Sequence, residues 1–224
     1  MSHTTDGTQV QVVPTSLGDA RVHWHRAPSA RAVLALGHGA GGGVEARDLV
    51  ALAGELPPRG VTVARVEQPW RVAGRKVAPA PRSLDVGWRE LWPALAGEGA
   101  PVVSGGRSAG ARVACRTAGE LGAVAVLALA FPLHPPGRPE RSRIAELTGV
   151  TVPTLVVQGD RDPFGRPEEF PGGTALVRVP DGDHGFAVPK RAPIDQEKTV
   201  ERLTAEVADW LDGLPDLPGE PAAS

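Results

Sequence analysis

The chain has 224 residues, a formal net charge of −2 with acidic and basic residues interspersed, and a single cysteine. That length accommodates one α/β domain with a sizeable core and leaves no room for a large cap domain. The charge balance gives no electrostatic footprint for nucleic acid or an anionic membrane, and no apolar run approaches the ~20 residues of a membrane span.

Residues 1–8 are polar, lack the charged-then-apolar pattern of a signal peptide, and read as a disordered N-terminus. Residues 9–212 read as one domain. Within it, 10–13 and 20–25 look like antiparallel edge strands, and 32–36 is a continuous apolar run of the kind buried on both faces of a parallel sheet. A glycine-rich loop, 37–43, leads to a helix over 45–56, which Pro57-Pro58 stops. Residues 61–66 form the next strand. The stretch 67–81, rich in Pro, Gly and Arg, reads as a surface loop carrying Trp70. Ser83 is placed to cap the following helix, where Leu84, Trp88, Leu91, Trp92 and Leu95 recur at helical spacing.

Residues 101–103 end a strand and 109–121 form an Ala-rich helix, in which Cys115 takes a packing role. A lone cysteine forms no internal disulfide, which points to a reducing, cytoplasmic setting. A strand at 123–130, a loop at 131–139 and a short helix around 141–147 follow. The last strands are 153–157 and 175–179, the closing helix is 195–211, and 213–224 reads as a disordered tail. Strands alternating with helices predict an α/β fold, a mostly parallel central sheet of about eight strands flanked by helices. Nothing in the pattern specifies an oligomeric state.

The most informative motif is Gly106-Arg107-Ser108-Ala109-Gly110, a G-x-S-x-G set between a buried strand and a helix. In that context it reads as a nucleophile elbow, a sharp turn that lifts the Ser108 hydroxyl above the sheet. A serine needs a base, and the base needs an orienting carboxylate. Two loops at the ends of late strands supply them in the order serine, acid, histidine: Gln158-Gly159-Asp160-Arg161-Asp162-Pro163-Phe164 and Pro180-Asp181-Gly182-Asp183-His184-Gly185-Phe186. The G-x-x-D spacing favours Asp162 as orienter. Asp160 is assigned to the turn backbone, and Asp183, adjacent to His184, would point away from the ring. The oxyanion hole is expected from the N–H of Ala109 and one from the glycine loop, Ala40 ahead of Gly39.

His38 reads as a loop-bracing residue. Arg107 could hold an anionic substrate group or brace a neighbouring acid. Trp70, His134 and Phe186 fall on loops at the catalytic edge and are candidates to line the pocket. His23 and His25, two apart on one strand, lack a third ligand nearby, so no metal or other cofactor is expected.

The motifs Gly-His-Gly-Ala-Gly-Gly at 37–42, Gly-Gly-Arg-Ser-Ala-Gly at 105–110, Phe-Pro-Leu-His-Pro-Pro-Gly at 131–137 and Gln-Gly-Asp-Arg-Asp-Pro-Phe-Gly at 158–165 make the chain resemble the α/β-hydrolase superfamily over residues 20–211. Within it they are similar to a small lidless group related to the dienelactone hydrolases, which includes the testis-expressed and NSL-complex hydrolase-like proteins. The resemblance implies an eight-stranded sheet and a triad of Ser108, Asp162 and His184. It says little of substrate. Dienelactone hydrolases use a cysteine where Ser108 stands. The expected function is a serine hydrolase acting on a small carboxylic ester or thioester. Alternatives are a hydrolase-fold interaction module with little turnover, or an acyltransferase or peptidase using the same triad.

Overall fold

A computed structural model describes residues 3–5 and 8–217. The strands are β1 (His3–Thr5), β2 (Thr8–Thr15), β3 (Gly18–His25), β4 (Ala32–Gly37), β5 (Val61–Glu67), β6 (Val102–Arg107), β7 (Ala125–Leu129), β8 (Thr154–Gly159) and β9 (Leu176–Val179). They form one sheet in the order β1-β2-β3-β5-β4-β6-β7-β8-β9. The pairs from β1 to β5 at one edge are antiparallel, and every pair from β5 through β4 to β9 is parallel. Eight of these strands are the expected ones. The ninth, β1, falls within the segment read as disordered and pairs with β2.

The helices are α1 (Arg47–Glu55), α2 (Pro69–Val72), α3 (Pro81–Ala96), α4 (Ala109–Leu121), α5 (Ile144–Thr148) and α6 (Gln196–Asp212). The sheet is buried on both faces, and its strands β4 and β7 are continuous runs of aliphatic residues with both faces covered. In β4, Val33 and Ala35 join the core formed with Trp88, Leu91 and Ala114 of α3 and α4. Ala32, Leu34 and Leu36 join the opposite core with Leu49 and Leu52 of α1 and Val207 and Leu211 of α6. The period-two alternation of a strand thus feeds two separate cores. No helix among the described residues is long and apolar enough to cross a membrane.

Local details differ from the sequence reading in three places. Residues 67–81 are not a plain surface loop. Pro69 opens the one-turn α2, and Trp70 turns inward with 5% of its surface exposed. Ser83 is not a cap, because α3 starts two residues earlier at Pro81, a residue whose fixed φ and missing N–H suit the first helical position. Leu214 and Leu217, in the segment read as a tail, are buried against the α1 and α6 core, while 218–224 lie outside the described residues. Asp195 does cap α6, accepting a hydrogen bond from the Lys198 N–H.

Cys115 is buried in α4, and desolvation pushes its thiol up to about 12. Thiolate is the reactive form, so the native protein should resist a thiol reagent such as Ellman's reagent at pH 8 and react with it once unfolded. Rapid native labelling would show that α4 opens readily.

Candidate active site

Ser108 sits between the end of β6 and the start of α4, with φ 52 and ψ −111. A positive φ on a residue with a Cβ is strained, and the surroundings hold it in place. The Ser108 N–H donates to the Leu129 carbonyl at 2.9 Å, and its own carbonyl accepts from Arg112 in α4. The first turn of α4 rests directly on the end of β4. A Cβ on Gly110 would lie 2.3 Å from the Gly37 carbonyl oxygen, and one on Gly106 would lie 2.5 Å from the same atom. Only glycine permits that approach.

The histidine comes from the loop after β9. Its Nε2 is 2.9 Å from Ser108 Oγ and its Nδ1 is 2.7 Å from Asp162 Oδ2. Asp162 is 1% exposed, and it accepts two further hydrogen bonds, from the Phe164 N–H at 2.8 Å and Gln158 Nε2 at 2.9 Å. Those donors leave the carboxylate acting as an acceptor toward the ring. Nδ1 therefore carries the proton, and Nε2 is free to accept from the Ser108 hydroxyl. The Phe164 ring lies 4.3 Å from the His184 ring, centroid to centroid, and covers one side of it.

A second set of contacts fixes the His184 backbone. Arg107 Nη2 donates to the His184 carbonyl at 2.6 Å, while its Nε donates to Asp48 Oδ2 at 3.0 Å. Asp48 is a buried carboxylate of α1, so of the two roles open to Arg107 from sequence, the structure displays bracing. Asp183 turns away from the ring, its Oδ1 accepting from the Gly185 and Ala187 N–H groups. Asp160 departs from its expected turn role. Its side chain reaches across to Arg178 of the neighbouring β9 at 3.0 Å and is partly solvent-exposed.

Ala40, His38, Trp70 and Ala109 line one narrow cleft beside the serine. Ala109 opens α4, where an N–H has no intrahelical acceptor. Gly39 lies alongside as well, since a Cβ there would be 3.4 Å from Ser108 Cβ. His38 is buried, with Nδ1 hydrogen-bonded to the Gly39 carbonyl at 2.8 Å and Nε2 accepting from the Gln68 N–H at 3.3 Å. Burial lowers its pKa below the usual histidine range, so a neutral ring braces the loop.

Two pocket candidates lie elsewhere. Phe186 is fully buried in the α1 and α6 core, turned there by a φ of 54. His134 pairs with Glu169 at 2.8 Å and with the Pro135 carbonyl, the carbonyl and then the carboxylate raising its pKa. His25 accepts from Arg65, and desolvation followed by that guanidinium lowers its pKa to about 4. A cation already faces it, and among the described residues no group of three His, Cys, Asp or Glu is arranged to hold a metal. Sequence reasoning gave no role to Phe164, Gln158 or Asp48. The first two stand in the motif around Asp162, whereas Asp48 lies 59 positions from Arg107 and carries no local signal.

Residues 30–212 match the family described as an alpha/beta hydrolase domain. The chain belongs to that family. Its fold is that of the lidless α/β serine hydrolases. A serine hydrolase without a lid from Xanthomonas campestris superposes with a TM-score of 0.72 at 20% identity, covering 97% of this chain and 99% of that one. An α/β serine hydrolase homologue from Coxiella burnetii gives 0.73 at 16% identity, covering 93% and 100%. A dienelactone hydrolase from Anabaena variabilis gives 0.66 at 18% identity, covering 92% and 97%. No curated protein sequence matches the chain.

Gly110→Ala should push α4 off β4, lowering stability by about 1–3 kcal/mol in denaturant unfolding. Gly119, at which an added Cβ meets nothing within 4 Å, is the control, and Gly119→Ala should not destabilise. Equal effects at both positions would contradict the close-approach argument.

Proposed function

We propose that the protein is a serine hydrolase that cleaves a small carboxylic ester or thioester through an acyl-enzyme. The observation that carries this reading is the unbroken line Ser108 Oγ, His184 Nε2, His184 Nδ1, Asp162 Oδ2, with hydrogen-bond distances of 2.9 and 2.7 Å at its two ends. In the first half-reaction, Ser108 Oγ attacks the carbonyl carbon while His184 Nε2 takes the hydroxyl proton. The oxygen of the tetrahedral intermediate takes up negative charge, which the N–H groups of Ala109 and Ala40 stabilise. The intermediate collapses, and His184 gives its proton to the departing alcohol or thiol. Water then attacks the acyl-enzyme by the same sequence in reverse order. Asp162 stays ionised, keeping the proton on Nδ1 and stabilising the imidazolium.

Residues 9–212 are taken as the single catalytic unit, without cap or metal. A lone buried cysteine suits a cytoplasmic enzyme. Without a cap the site faces solvent, which favours hydrolysis over transfer to another acceptor and suits short, soluble substrates.

Ser108→Ala should retain the native fold by circular dichroism and hydrolyse p-nitrophenyl acetate at less than about a thousandth of the wild-type rate. Residual activity above that level would remove Ser108 from the nucleophile role. Asp162→Asn should lower kcat by roughly a thousandfold or more, through the wrong histidine tautomer, while Asp160→Asn leaves it almost unchanged. The reverse ranking would transfer the orienting role to Asp160.

A further inference from the structure

The cleft beside Ser108 stops at Trp70, and a larger space begins on the far side of the same side chain. The cleft, lined by His38, Ala40, Trp70, Leu84 and Ala109, encloses about 10 Å³, at the limit for a single water molecule. The second, a groove open to solvent and bounded by Leu17, Ala73, Pro79 and Ser83, has a volume of about 310 Å³. Gln68 and Trp70 are common to both linings and form the wall between them.

The two wall residues are held differently. Gln68 is tied down, its N–H donating to His38 Nε2 and its Nε2 donating to the Leu84 carbonyl. The Trp70 indole N–H has no hydrogen-bond partner although the side chain is buried, so packing alone holds the ring, including a contact with His38 at 5.4 Å between ring centroids. A buried indole normally finds a partner for its N–H, and its absence marks a position kept for shape.

Reaction geometry assigns the side of the substrate. A leaving group must lie where His184 Nε2 can protonate it, and none of the cleft residues belongs to the His184 loop or to the turn of Asp162 and Phe164. With the oxygen taken by the Ala109 and Ala40 N–H groups proposed above at the mouth of the cleft, the remaining substituent, the acyl portion, is the one directed past them toward Trp70. On the serine-hydrolase reading above, we infer that Trp70 is the stopper that limits the acyl chain. The methyl of an acetyl group, about the size of the one water the cleft can hold, fits in front of the indole, and the space behind it is closed to longer chains until the ring is removed.

The test compares wild type, Trp70→Ala and Trp70→Leu on p-nitrophenyl acetate, butyrate and octanoate. Titration with a fluorophosphonate counts competent Ser108 in each preparation, and the leucine variant keeps apolar volume at the site should the alanine variant fold poorly. Wild type should prefer acetate. Trp70→Ala should raise the octanoate-to-acetate ratio of kcat/KM by roughly tenfold to a hundredfold, with Trp70→Leu in between. Ser83→Phe added to Trp70→Ala should refill the space and return the ratio toward wild type. A wild type that hydrolyses octanoate as well as acetate overturns the stopper, as do Trp70 variants with full titration and an unchanged ratio. In both cases the Ser108 assignment stands. A wild type that forms no adduct overturns both readings.

Discussion

Gly110 lies against the backbone of Gly37, and that contact sets how closely α4 approaches the sheet. With no Cβ at 110, the first turn of α4 meets the end of β4, where an alanine methyl would lie 2.3 Å from a carbonyl oxygen. The chain can reach this position from β6 only by turning sharply at Ser108, whose φ of 52 is the local cost of the turn. The glycine loop leaves β4 at the same level, so Ala40 and Ala109 come to line one cleft. One backbone contact thereby brings together the raised hydroxyl and both expected oxyanion donors.

The histidine depends on a different set of restraints, and they come from widely separated parts of the chain. Asp162 holds the ring, and Gln158 and Phe164 hold Asp162. Arg107 holds the His184 carbonyl and is itself held by Asp48 of α1. Because Arg107 precedes Ser108 directly, the residue that braces the base and the residue that base would serve move as one unit. A buried carboxylate such as Asp48 is costly unless paired, so the pairing also fixes where α1 sits relative to the elbow.

The central sheet, the elbow and the two strand-end loops were legible in the sequence because each is a local pattern: an apolar run, a glycine spacing, or a polar loop directly after a strand. What escaped depended on partners far along the chain. Asp160 looked like a turn residue, but β9 places Arg178 beside it through strand pairing that no local pattern displays. Phe186 looked like a pocket-lining residue by proximity to His184, and a left-handed turn at that residue sends it into the core. Trp70 sits in a stretch whose Pro, Gly and Arg content signals a loop, yet burying a large indole outweighs that local preference and draws α2 against the sheet. His134 could be placed on the right edge of the fold but not paired with Glu169 from spacing alone.

The central claim is that Ser108 is a nucleophile activated by His184. The direct measurement is treatment of the purified protein with a fluorophosphonate, followed by mass spectrometric location of the adduct in wild type and in His184→Ala. The account predicts stoichiometric modification of Ser108 in wild type and its loss in the folded His184→Ala protein. A well-folded wild type that takes up no label, or a label that persists without His184, would contradict it and turn attention to a hydrolase-fold module that binds without turnover.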